Sequence, residues 1–458
     1  RELADVGVRR RKPQRVHRVL ELRVEVPRVA GVDLVLDARL LVAHRLVPLA
    51  QLRLFVDAAL DGALELLAEL GPAAAEALPE LRAVAEHPSS PFLEDIDSPR
   101  NHALGHSDDK FLAAARLAGV RTHRYDNPTK GPKGESLSTD VAHLGPSDAS
   151  KVIVTISSTH GVEGYCGSGV QVFATHDADW LAHASGRDVA VLYIHALNPY
   201  GFSHIRRVTH ENVDLNRNFQ DFSKPLPVNA PYAEIADLLI PATWPPDAAN
   251  AAAVAQYIQT RGMPAFQAAI SRGQHAYPKG MFFGGIAPTW SNQTLRGVLR
   301  QHGAAAQRIA WIDLHTGLGP NGLGERIFAC ADDAVALQRA RAWWGGNGAT
   351  PVTSIYDGSS TSAFLTGLMW MSLSQECPRA EYTGIAMEYG TQPMEQVSYA
   401  LRAEHWLDNH PEAPAALARQ IKQQMLDAFY TDTDTWKGQI VSQARQAMVQ
   451  AVDGLCAV

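Results

Sequence analysis

Three short runs constrain the fold of this chain more than any other feature. Residues 152–157 (VIVTIS), 189–194 (VAVLYI) and 309–314 (IAWIDL) are apolar and mostly β-branched at consecutive positions. A strand with one wet face alternates apolar and polar residues, so runs that are apolar on both parities belong in a sheet covered on both faces. Helical patterns lie around and between them, at 110–118 (KFLAAARLA, stopped by Gly119), 251–261 (AAAVAQYIQTR) and 334–344 (AVALQRARAWW). Strands interleaved with helices predict an α/β fold: a mixed, largely parallel central sheet flanked by helices. Residues 224–246 carry six prolines and read as a surface excursion rather than a linker.

This pattern begins only after about residue 90. Residues 1–88 contain no Ile, Thr, Asn, Tyr, Trp or Met and a single Lys. The skew divides the chain into a compositionally atypical N-terminal extension, 1–90, and an ordinary domain, 91–458. A helical reading fits 57–70 (DAALDGALELLAEL), where leucines recur at helical spacing. The chain has no Met before Met263, which also fits a translation start assigned too far upstream. No motif of chemical interest falls in the extension, so it is expected to be dispensable for activity.

A net charge of -7 over 458 residues gives no basic footprint, so no nucleic-acid partner is expected. Cys166, Cys330, Cys377 and Cys456 form no CxxC pair. They suggest neither a disulfide framework nor a thiolate metal site. No apolar run is long enough to span a membrane. Free thiols and the lack of a signal-like h-region lead to an expected cytoplasmic location.

The chemistry gathers where strands end, as it does in open α/β sheets. The first run passes into Ser158-Thr159-His160-Gly161-Val162-Glu163-Gly164. A His and a Glu three apart in a Gly-flanked turn can aim imidazole and carboxylate at one point. The third run ends in His315-Thr316-Gly317. Catalytic zinc takes three such N/O ligands and keeps one position open. Asp313, two before His315, either supports a ligand from behind or caps a strand edge. Two blocks remain: 213–219 (VDLNRNF), with its Arg fork and Asn amide, and 384–390 (GIAMEYG), a short apolar run that delivers Glu388 and then turns. Ser157 and Ser158 stand beside His160, but there is no GxSxG elbow to make a serine nucleophile.

HGVEG, VDLNRNF, DLHTG and the late MEYG stand in the order of the motifs of the zinc metallocarboxypeptidase superfamily, over roughly 92–452. The chain resembles that superfamily. A further stretch, 273–292, with YPKGMFFGG and PTWSN, looks like a bacterial branch of it. The resemblance implies a zinc carboxypeptidase-like catalytic domain over 91–458. It implies one zinc per chain on His160, Glu163 and His315, with Glu388 as the general base. It also implies Arg207 as the residue that polarises the scissile carbonyl, although Arg206 is the neighbouring choice. Asn216 and Arg217 would grip a substrate's terminal carboxylate, and Tyr356 would cap the substrate. DLHTG is closer to the aspartoacylase and succinylglutamate desuccinylase deacylases than to digestive carboxypeptidases.

The implied activity is hydrolysis of an amide bond next to a carboxylate, on a small peptide. An N-acyl amino acid is the alternative substrate. A reading of another class is a carboxylate-binding protein without catalysis, which competent residue types at all four catalytic positions argue against.

Overall fold

A computed structural model describes residues 19–25, 35–41, 106–345 and 351–457. The chain divides into two compact units, Arg1–Pro88 and Ser89–Val458. In the first unit, β1 (Val19–Glu25) pairs antiparallel with β2 (Val35–Leu41). The helical reading of 57–70 lies outside the described residues.

In the second unit the strands are β3 (Arg121–Lys130), β4 (Ser136–Leu144), β5 (Lys151–Ile156), β6 (Val189–His195) and β7 (Arg308–Asn321). Then follow β8 (Gly324–Phe328), β9 (Val352–Thr353) and β10 (Glu381–Gly390). The helices are α1 (His106–Leu117), α2 (Gly164–His176), α3 (Ala178–Ser185), α4 (Pro199–Ser203), α5 (Leu215–Asn218), α6 (Ala230–Leu239) and α7 (Ala248–Arg261). They continue with α8 (Met263–Ser271), α9 (Trp290–His302), α10 (Ala334–Trp344), α11 (Met371–Glu376), α12 (Met394–Asn409), α13 (Ala415–Phe429) and α14 (Asp434–Cys456).

Eight strands form one mixed sheet in the order β3-β4-β6-β5-β7-β10-β8-β9. The central four, β6, β5, β7 and β10, run parallel; β4 and β8 flank them antiparallel. The α/β fold expected from the sequence is the one observed, and the three apolar runs are its central strands β5, β6 and β7. Their two parities feed two cores. Ile153, Val191 and Tyr193 pack with α1, α2 and α14 on one face. Val152, Val154, Leu192 and Ile194 pack with α9 and α11 on the other. Each such side chain contributes about 1.5–3 kcal/mol on burial, so neither face tolerates the polar alternation of a one-sided sheet.

The proline-rich stretch 224–246 is more regular than its composition suggests. It contains α6, which accepts a proline in its first turn and buries Tyr232, Ile235 and Leu239. Proline lacks only an N–H that a first turn leaves unpaired, so it starts a helix without cost. Among the described residues no helix is long and apolar enough to cross a membrane.

Candidate metal centre

The site forms where β5, β7 and β10 end. Ile156 of β5 stands opposite Asp313 of β7, and His315 of β7 is in register with Glu388 of β10. Residues paired across a ladder face the same side, so this register puts His315 and Glu388 on one face. After Tyr389 and Thr316 the register jumps to Gly390 and Asn321, so residues 317–320 loop out of β7. The loop turns the Leu318 N–H onto Glu388 Oε1 at 3.0 Å.

From β5 the chain enters a tight turn. Ser158 adopts φ 60, held by its hydroxyl donating to Gly161 O at 3.0 Å and by Asn198 N–H donating to Ser158 O at 2.9 Å. Gly161, at φ 25, is required here: a Cβ on it would lie 1.9 Å from Arg206 O. One turn of 3₁₀ helix, Gly161–Glu163, then leads into α2 and brings Glu163 back over His160. Ser157 donates to Gln171 Oε1 at 3.0 Å, so both serines of the turn have structural partners.

His160, Glu163 and His315 form a buried group able to hold a metal ion. His160 Nδ1 lies 3.1 Å from Glu163 Oε1 and 3.1 Å from His315 Nδ1. His315 Nδ1 lies 2.8 Å from Glu163 Oε2. Three ligands on a tetrahedron with bonds of ~2.0–2.1 Å stand roughly 3.3 Å apart, close to these separations.

The far nitrogens explain why the near ones face one another. His315 Nε2 meets Asp313 Oδ2 at 2.5 Å, and Asp313 Oδ1 accepts from the Thr159 hydroxyl at 2.8 Å. His160 Nε2 lies 3.3 Å from Asp214 Oδ1. The carboxylate behind His315 accepts its ring N–H and leaves the opposite lone pair pointing at the shared point, while His160 Nε2 lies between Asp214 and the Arg207 guanidinium. Asp313 therefore stands behind His315 rather than capping a strand edge.

Four carboxylates, Glu163, Asp214, Asp313 and Glu388, gather here with two guanidiniums, Arg207 and Arg217; Glu388 and Arg207 are the partly exposed members of the group. Burial would raise the Asp214 carboxyl, but Arg207, Arg217 and His160 outweigh it and hold it well below the usual range. Burial would lower His315, but Asp313 and then Glu163 outweigh it and hold it high. At Glu388 burial and repulsion from Glu163 act together and push the carboxyl up to about 8. A cation beside Glu163 would relieve that repulsion and return Glu388 towards its basic form.

Arg207 reaches into this group. Its Nη1 donates to Glu163 Oε1 at 3.0 Å and its Nε to Asp214 Oδ2 at 3.0 Å, while Nη2 lies 3.0 Å from His160 Nε2. Arg206 points the other way, so the structure places Arg207, not Arg206, beside His160 and Glu163. Asn216 is buried, two residues after Asp214. Its Oδ1 accepts from Met369 N–H at 3.1 Å, and among the described residues its Nδ2 makes no hydrogen bond.

Two expected substrate contacts are otherwise engaged. Arg217 donates Nε and Nη2 to Ser271 O and Nη1 to Asn216 O, and its side chain is 3% exposed. Its fork is used on backbone carbonyls, which no motif could reveal because Ser271 lies 54 residues away. Arg217→Ala is therefore expected to lower stability by roughly 2–4 kcal/mol, because it leaves a buried carbonyl without a donor. Denaturant titration of the purified variant measures it. Tyr356 donates its hydroxyl to Cys330 O at 2.9 Å. Cys330 Sγ in turn accepts from Gly384 N–H at 3.2 Å, four residues before Glu388.

Three contributors escaped the sequence reading. Asp214 could have been found, because it lies in VDLNRNF and also caps α5 through Asn216 N–H at 2.9 Å. Thr159 had only its place beside His160. Phe282 had no signal: its ring lies under both guanidiniums, 5.3 Å from Arg207 and 5.5 Å from Arg217. The stretch 273–292 that carries it braces the VDLNRNF turn. Phe283 O accepts from Asp214 N–H at 2.8 Å, and Asn218 Nδ2 donates to Gly284 O at 2.9 Å.

A family described as "Protein of unknown function (DUF2817)" matches residues 106–443. No curated protein matches the chain. Among solved structures it is similar to a metallo-carboxypeptidase from Burkholderia cenocepacia, at 11% identity and TM-score 0.36, covering 78% of this chain and 69% of that one. It is also similar to bovine thrombin-activatable fibrinolysis inhibitor in complex with tick carboxypeptidase inhibitor, at 10% identity and TM-score 0.41, covering 77% and 97%. A glutaminyl cyclase from Fimbriiglobus ruber is similar at 11% identity and TM-score 0.32, covering 79% and 94%.

Proposed function

This chain belongs to the DUF2817 family, and within it we propose a zinc-dependent hydrolase that cleaves an amide bond beside a terminal carboxylate. The observation that carries the reading is the convergence of His160, Glu163 and His315 with Glu388 in register beside them. Two imidazoles and one carboxylate are the ligand chemistry of a hydrolytic zinc rather than a structural one. Zinc bound there would acidify a water and polarise the amide carbonyl.

The protein side chains supply the rest. Glu388 is partly exposed while the three ligands are buried, so it stands on the side from which water and substrate arrive. It takes the proton of the attacking water and hands one to the leaving amine. Arg207, also partly exposed, offers positive charge to the oxyanion that develops on the carbonyl. With Arg217 committed to backbone, the Asn216 amide is the donor left to meet a substrate carboxylate. Holding that carboxylate fixes the amide in register with the ligands and saves the entropy of orienting it.

The test pairs elemental analysis with a substrate panel. We expect about one zinc per chain and release of a C-terminal residue from small peptides, abolished by a chelator and restored by zinc. Turnover of N-acyl amino acids in place of peptides would assign the deacylase reading. Zinc-loaded protein inert on both classes would favour binding without catalysis. Protein that takes up no metal would refute the proposal.

A further inference from the structure

The two adjacent arginines of the site's second segment do opposite things. Arg207 reaches the metal ligands, and Arg206 turns its side chain away into a buried ion cluster. Arg206 Nε lies 2.8 Å from Glu404 Oε1 and its Nη1 2.5 Å from Asp408 Oδ1, both on α12. Nη2 donates to Asn212 Oδ1 at 3.1 Å. Lys422 of α13 closes the cluster, with Nζ 2.7 Å from Glu404 Oε1. Exposure decides which partner matters: Glu404 is 0% and Arg206 3% exposed, whereas Asp408 is 39% and Lys422 29%. A guanidinium with no water must keep an anion, and Glu404 is the buried one beside it, so Glu404 holds Arg206, while Asp408 and Lys422 can turn to solvent.

The backbone of Arg206 is part of the metal turn's support. Its N–H donates to Gly201 O at 2.7 Å, and its carbonyl accepts from Val162 N–H at 2.8 Å. Val162 lies between ligands His160 and Glu163, and Gly161 passes so close to Arg206 O that a Cβ would stand 1.9 Å from it. The same helix pair touches the other ligand strand. Helix α13 packs on the 161–163 turn, and its Phe429 O accepts from the Thr316 hydroxyl at 2.7 Å, next to His315.

We infer that Arg206 is a positioning residue: anchored by the buried carboxylate of Glu404, it sets the Gly161–Glu163 turn so that His160 and Glu163 meet His315. The inference rests on the metal reading above and adds the device that pre-forms the ligand set. Arg206 touches neither metal ligand side chains nor substrate. Its effect should appear in metal affinity and in the turn's own hydrogen bond, not in the chemistry.

The test is the paired variant Arg206→Met with Glu404→Met in the full chain. It removes both buried charges together and leaves apolar side chains of similar length. Cobalt(II) and zinc titrations give affinity and ligand-field spectrum. Amide exchange at Val162 reports the turn without metal. We expect a metal-free melting temperature within a few degrees of the parent. We also expect metal affinity weaker by about tenfold or more, as for loss of supporting groups around a ligand set, a changed cobalt spectrum, and faster exchange at Val162. Parental affinity together with parental Val162 exchange would overturn the inference. If the double variant fails to fold, Arg206→Lys serves with the same readouts, because one ammonium cannot span Glu404, Asp408 and Asn212 together. If the parent binds neither metal, the function proposal fails, and Val162 exchange alone decides the role of Arg206.

Discussion

Glu388→Gln is expected to lower kcat by about 10²–10⁴-fold, roughly 3–5 kcal/mol of barrier, while the protein stays folded and loaded with metal. Glutamine keeps the size of the side chain and still accepts the Leu318 N–H at Glu388 Oε1. It cannot take a proton at neutral pH. Glu388 is not among the three converging ligands, so metal content should hold. Substrate affinity should change little, because a proton transfer contributes in the transition state and not to ground-state binding. Stability should hold, since glutamine keeps the Leu318 N–H contact and brings no new charge. Paired kinetics, zinc content and melting curves measure this. A folded, zinc-loaded variant with near-parental turnover would remove Glu388 from the mechanism.

His315→Ala should show the opposite signature, with metal lost first and activity with it. Removing one of three ligands should cost more affinity than the roughly 10–100-fold that follows loss of a supporting group. It also strands Asp313, whose Oδ2 faces His315 Nε2 at 2.5 Å and whose other hydrogen-bond partner among the described residues is the Thr159 hydroxyl. A buried carboxylate deprived of its partner costs about 3–5 kcal/mol. A fall in melting temperature should therefore accompany the loss of zinc. Asp313→Asn separates the two effects: it keeps a hydrogen-bonding group behind His315 while removing the charge. It should bind metal more weakly, by roughly 10–100-fold, with a smaller stability loss. Elemental analysis and denaturant titration of the three proteins decide. Equal zinc in His315→Ala and parent would show that His315 is no ligand.

Much of the fold was legible because burial on both faces leaves a local mark. A strand covered twice must be apolar at consecutive residues, and β5, β6 and β7 are. Their helices were visible from spacing, and α10 begins and ends where its pattern does. The same holds for the candidate ligands. His160 and Glu163 are three apart in one turn, and His315 sits just past an apolar run, so each ligand's local setting is encoded next to it.

What the tertiary structure decided are relations between distant segments. Register alone puts Glu388 beside His315, and no local pattern specifies which residue of one strand faces which residue of the next. Arg206 and Arg207 are indistinguishable as neighbours in sequence. They part because Glu404 lies on one side of the backbone, and Glu163 with Asp214 on the other. Arg217 and Tyr356 carry the right chemistry for substrate contacts, yet Ser271 O and Cys330 O have taken their donors. A side chain's type fixes what it can bond. Which partner it bonds depends on what folding brings within about 3 Å, and for these residues that partner lies tens of residues away.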